Sequence, residues 1–224
     1  MKKRVIPGLL FLLLTLSLPG TVLAQAHQGQ AEITFYGAGS ILNVSREGPR
    51  CEFCIFNVDV VPPFLRFRQS LASSIMFGLK VAYYATDRVA VEGNFAISPN
   101  HKFVRELKVN CPPGKFCVQV PTELADFHQE EDIVAYHYDI NVAYHFTTHD
   151  VRPYFVLGIG GVSYDIPGGF ETNFAFNAGI GLKLYVNRIG LRVEINEHII
   201  PDHFLSEKTV ANTQFQFGFI FIPF

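Results

Sequence analysis

The sequence predicts an all-β fold, an eight-stranded antiparallel up-and-down barrel that crosses a membrane. Three observations carry the prediction. Large apolar residues alternate with small or polar ones at a period of two through eight segments. The connections between these segments alternate between short and long. The second parity holds glycine, alanine and isolated charges of both signs, where a water-facing sheet would carry many Lys and Glu.

The N-terminus comes before any strand. Lys2, Lys3 and Arg4 precede an apolar run that ends in small residues, so residues 1–24 read as a secretory signal peptide and residues 25–224 as the barrel domain. A second cleavage frame ends at Ala26. No Cys follows the cut, which argues against lipoprotein attachment. Cleavage after Ala24 leaves 200 residues and takes the formal charge from −2 to −5. That balance offers no basic stripe for phosphates, so no nucleic-acid partner is expected. Beyond the signal no run approaches the roughly 20 apolar residues of a spanning helix, and a membrane protein here has to cross with strands.

The strands follow in order. In residues 30–41, Ile33 and Phe35 oppose Glu32, Thr34 and Tyr36. Ile75, Phe77, Leu79, Val81 and Tyr83 then oppose Ser74, Gly78, Lys80 and Ala82. A tight turn at Thr86 and Asp87 leads to Val89, Val91, Gly93, Phe95 and Ile97 against Arg88, Ala90, Glu92 and Asn94. The fourth segment sets Val134, Tyr136, Tyr138, Ile140, Val142, Tyr144 and Phe146 against Ala135, His137, Asp139, Asn141, Ala143 and His145. After a turn at 147–150, Pro153, Phe155, Leu157 and Ile159 oppose Arg152, Tyr154, Gly158 and Gly160. Phe174, Phe176, Ile180 and Leu182 oppose Asn173, Asn177, Gly179, Gly181 and Lys183. Asn187 and Arg188 make the third short turn, before Ile189, Leu191, Val193 and Ile195 against Arg192, Glu194 and Asn196. The last strand alternates Phe215, Phe217, Phe219 and Phe221 with Gln214, Gln216 and Gly218, and Pro223 ends it before Phe224. Longer loops are expected over about 43–70, 99–131, 165–171 and 197–210.

The face that looks inward follows from what each parity contains. Small residues interleaved with compensating charges suit the crowded interior of a narrow barrel, so the aromatic parity faces lipid. A closed sheet also pairs every backbone N–H and C=O, as hydrocarbon demands. Tyr136, Tyr138 and Tyr144 suit headgroup level.

The signal segment, "FGLKVAYYATDRVAVEGNFAIS", "VRPYFVLGIGGVSY" and the terminal Phe224 together resemble the small OmpA-type, opacity-like outer-membrane β-barrel family over nearly all of the mature chain. The resemblance implies an outer-membrane location with short periplasmic turns and longer extracellular loops. It also implies outer-membrane lipid and the barrel-assembly machinery as partners. Activity is not implied by such motifs.

Three constellations invite a chemical reading. Cys51, Cys54, Cys111 and Cys117 fall in the two longest loops, and export makes disulfides the expected reading, with three connectivities open. A metal site on these cysteines is the lesser reading, because the spacing of the second pair does not match a zinc ribbon. His137, Asp139 and His145 share the inward parity. They are expected to join Lys80, Arg88, Glu92, Arg152, Lys183, Arg192 and Glu194 in a polar network that plugs the lumen, in preference to a proton relay or ligand set. Glu197, His198, Asp202 and His203 mark the long-loop rim, yet the only nearby serine, Ser206, lacks the spacing of a lipid A deacylase motif.

The expected protein is therefore a monomeric outer-membrane barrel without catalytic, cofactor-binding or metal-binding residues. It would serve as a structural element, or bind or adhere through disulfide-stapled extracellular loops to a ligand the residues do not identify. The alternatives are a lipid A acylhydrolase-like enzyme and a soluble lipocalin-like carrier.

Overall fold

The computed structural model describes residues 27–42, 44–48, 65–109, 128–166, 168–206 and 209–223. The signal segment and all four cysteines lie outside the described residues.

Eight long strands close the barrel: β1 (Ala31–Ile41), β4 (Ser74–Tyr84), β5 (Val89–Val109), β6 (His128–His145), β7 (Val151–Ile166), β8 (Gly169–Val186), β9 (Ile189–Ile200) and β10 (Val210–Phe221). Each pairs antiparallel with its chain neighbours, and β1 closes the ring on β10 with Ile33 opposite Phe221. Closure leaves no exposed sheet edge around the ring, which is what permits strands in hydrocarbon. Among the described residues no helix is long and apolar enough to cross a membrane. The ring of strands makes the crossing.

The observed burial follows the sequence parity. Phe35, Phe77, Phe95, Ile140, Leu157, Ile180, Val193 and Phe217 are exposed on the outside, while Lys80, Glu92, Arg152, Lys183, Arg192 and Glu194 are buried inside. Such an inversion, with charges within and aromatics without, is intelligible only if lipid solvates the outer face.

At one rim the turns are short. Asn187 sits at φ 60 in the β8–β9 turn, a left-handed conformation its side chain tolerates. At the other rim the strands run further than the sequence suggests. The expected 43–70 loop contains β2 (Val44–Gly48) and β3 (Leu65–Leu71), which pair with each other, and β3 pairs with the upper part of β5. Within the expected 99–131 loop, residues 99–109 and 128–131 continue β5 and β6 above a register shift between Ser98 and His101. Pro99 has no N–H to donate, and the shift accommodates it. The expected loop at 165–171 is corrected as well: β7 and β8 meet at Ile166 and Gly169, with Gly168 at φ 112 and Gly169 at φ 142. Glycine makes that sharp reversal accessible, so composition that reads as a loop serves as a tight hairpin. The last strand ends at Phe221, two residues before Pro223.

Inside the barrel, character changes along the axis. Charges and tyrosines fill the half toward the short turns, amides and histidines the middle, and an apolar cluster with Leu42, Phe103, Ile133, Val162, Ile200 and Leu205 lies under the long-loop mouth.

Candidate functional site

The lumen holds the densest chemistry among the described residues. Its centre is Arg192 on β9, whose two terminal nitrogens donate to Glu92 on β5 at 3.0 and 2.7 Å. It also reaches Glu194 through Nε at 3.1 Å and through Nη2. Lys80 on β4 contacts Glu194 at 2.5 Å. Lys183 on β8 lies 2.8 Å from Glu32 and 3.1 Å from Glu92. Three carboxylates thus meet three cations, all excluded from water. Buried charges persist only when paired and hydrogen-bonded in this way.

Tyrosines complete the saturation. The Tyr154 hydroxyl donates to Glu194 at 2.5 Å and the Tyr185 hydroxyl to Glu32 at 2.6 Å. Tyr84 donates to Glu32 at 3.0 Å, and its oxygen lies 2.9 Å from that of Tyr185. The Arg192 guanidinium lies 4.9 Å from the Tyr154 ring centre and Lys80 5.2 Å from that of Tyr36.

The remaining expected network residues are placed differently. Arg152 is buried near the short-turn rim, where it donates to the carbonyls of His149 and Thr148 at 2.9 Å each and covers the Tyr185 ring. His145 sits beside it, against the rings of Tyr84 and Tyr154. Asp139 and His137 lie higher, in the amide-rich middle, and Asp139 accepts from Asn94 at 2.6 Å. Arg88 does not enter the lumen. It is exposed in the turn before Val89, because β5 starts one residue later, and its carbonyl accepts the His145 N–H at 2.7 Å.

The sequence reading omitted Glu32, Tyr36, Tyr84, Tyr154, Tyr185 and Asn94 from the network. Their signal was available, since each stands on the inward parity of its strand.

The small residues are required by the large ones. A Cβ on Gly181 would collide with the ring and hydroxyl of Tyr154 and stand 2.7 Å from the Val193 carbonyl. Gly181→Val is therefore expected to destabilise the barrel by about 1–3 kcal/mol through overpacking. Urea unfolding of refolded protein, followed by gel mobility, measures it; an unchanged midpoint would mean that Tyr154 can move aside.

The rim residues do not converge on one site. Glu197 points outward and accepts from Thr213 at 2.7 Å, whereas His198 is buried in the lumen. His203 folds over the mouth, where burial pushes its imidazole down to about 4. Its Nδ1 accepts the Leu205 N–H at 3.1 Å and its Nε2 lies 3.3 Å from the Tyr164 hydroxyl, so both nitrogens are engaged. Such a histidine is not positioned to activate a serine.

Comparison with known proteins places this geometry. A model of the outer membrane protein beta-barrel domain matches residues 10–221. No match was found among curated proteins. The outer membrane protein OprG from Pseudomonas aeruginosa is similar in structure, with TM-score 0.57 and 12% identity over 90% of this chain and 99% of that one. Neisserial surface protein A (NspA) is similar at TM-score 0.51 and 14% identity, over 85% of this chain and 96% of that one. At these identities the likeness shows the fold.

Proposed function

The chain belongs to the outer membrane protein β-barrel family, and from that premise we propose that it is exported by its N-terminal signal and works as a closed, monomeric scaffold presenting an extracellular binding surface. The observation that carries this reading is the saturated ionic cluster: Arg192, Lys80 and Lys183 tie β4, β5, β8, β9 and β1 together across the lumen. Eight strands leave room only for side chains, and here the side chains bond one another. A route for solute through the centre would require breaking buried ion pairs.

Function then moves to the long-connection rim. There β2, β3 and the upper parts of β5 and β6 form a sheet that continues the barrel wall. Lys102 bridges Glu130 and Asp132 at 3.0 Å each on its exposed face. A wall extended beyond the membrane offers a fixed surface on which the cysteine-bearing segments can present a contact area. Disulfides among Cys51, Cys54, Cys111 and Cys117 would stiffen that surface.

Two measurements test the reading. Planar-bilayer recording of the purified protein should show no steady conductance. Cysteine-directed labelling of intact cells, with and without reductant, should find the four thiols outside and accessible only after reduction. Steady open channels would overturn the closed scaffold, and labelling only after cell lysis would overturn the extracellular assignment.

A further inference from the structure

The long-connection mouth is covered by the chain itself. After β9 ends at Ile200, residues 201–206 turn over the barrel. Asp202 is exposed, His203 and Leu205 are buried, and Leu205 joins the apolar cluster of Leu42, Phe103 and Ile133. A bridge between His203 and Ser206 shapes the segment, with the Ser206 N–H donating to the His203 carbonyl at 2.8 Å. The Phe204 N–H donates to Asn173 on β8 at 3.0 Å. The His203 and Phe204 rings stand 5.4 and 5.1 Å from the ring of Tyr164 on β7.

His203 holds this arrangement only as a neutral ring. Its Nδ1 accepts the Leu205 N–H at 3.1 Å, which assigns the ring proton to Nε2, 3.3 Å from the Tyr164 oxygen. A second proton has only Nδ1 to bind, where it meets the Leu205 N–H donor to donor and breaks that bond. The charge it brings finds no counter-ion, since no ion pair among the described residues includes His203. On β5, beyond Tyr164 and 6.1 Å from its ring, the buried His101 is a second base, and its Nε2 has no hydrogen-bond partner. Arg105 of β5 and Glu131 of β6 bond each other at 2.8 Å. Glu171, two residues from Asn173 on β8, makes no ion pair, and neither does exposed Asp202.

We infer that residues 201–206 form an acid-released plug: a proton taken up at His203 Nδ1 unseats the segment from Tyr164 and opens the long-connection mouth onto the apolar layer. The proton cannot be held in place, because a charged imidazole among apolar side chains needs a paired anion. With Leu205 withdrawn, the apolar lining of the mouth faces the exterior. The Arg192, Lys80 and Lys183 pairs lie nearer the short turns, so release opens a blind cup and not a pore.

Burial, with His101 as the second cause, holds the seated imidazole down to about 4, whereas a released imidazole returns to about 6.5. The released form therefore takes up the proton first as pH falls. From about 6.5 down to about 4 the ratio of seated to released plug drops up to tenfold per pH unit, about 300-fold in all. Below that window both forms carry the proton and the ratio no longer changes.

The chain has no tryptophan, so Phe204→Trp places a single reporter in the plug. The test follows its emission and acrylamide quenching in lipid vesicles from pH 7.5 to 3.5, with folding confirmed by a heat-modifiability gel. The expected result is a reversible red shift with a several-fold rise in quenching as pH falls through the window. Adding His203→Phe or His203→Gln, neither of which takes up a proton, should abolish that transition. No transition in Phe204→Trp, or the same transition in both His203 variants, would overturn the plug. If the tryptophan is already quenched at pH 7.5, pepsin at pH 4 decides. Cleavage between Phe204 and Leu205 in the unsubstituted protein and not in His203→Gln supports the inference; equal cleavage, or none in either, overturns it.

Discussion

Arg192→Met will destabilise the folded barrel by about 3–5 kcal/mol, the usual effect of removing one partner from a buried ion pair. The guanidinium bonds two carboxylates at once, Glu92 through two nitrogens and Glu194 through a third. Without it, Glu92 retains only Lys183, which Glu32 also claims. A buried, half-paired carboxylate is the expensive species, so neutralising it should rescue the fold: Glu92→Gln with Arg192→Met should recover most of the loss. Urea titration of protein refolded into lipid vesicles, with the folded fraction read from heat-modifiable gel mobility, gives the double-mutant cycle. A single-variant loss below about 1 kcal/mol would indicate that Arg192 is hydrated, and the closed lumen would lose its main support.

The second large effect belongs to the outer wall. Ile140→Lys, at a side chain 67% exposed in the middle of β6, is expected to destabilise the membrane-inserted protein by about 2–4 kcal/mol. Phe146→Lys, just past the end of β6 at the short-turn rim, should change stability by about 0–1 kcal/mol. This depth dependence has no counterpart in water, where lysine on an exposed face is nearly neutral. Equal small effects at both positions, in vesicles, would mean that this face does not meet lipid and would restore the soluble carrier.

Much of the architecture was legible because it is local. Alternation along one strand needs no knowledge of any other strand, so the parity that buries His137, Asp139 and His145 and exposes Tyr138 could be read directly. The glycines were legible for the same reason. Strand ends outside the membrane were less so, since hydrocarbon no longer enforces alternation there. The extensions of β5 and β6 run through "SPNHKFVREL" and "HQEED", which carry charge and proline where loops usually do.

Arg88 shows the limit at a strand end. Its parity suggests the lumen, but a turn residue follows the turn's geometry, and it lies outside.

By itself the sequence determined the class of fold, the number of strands in the ring and the face that side chains within the ring's strands occupy, because a period of two is a property of consecutive residues. Only the tertiary structure decided which inward residues meet. Lys183 reaches Glu32 across 151 residues of chain, and His198, which reads as a rim residue, joins His137 and Asp139 in the middle. Those meetings depend on the register and closure of eight strands together, and no single strand carries that information.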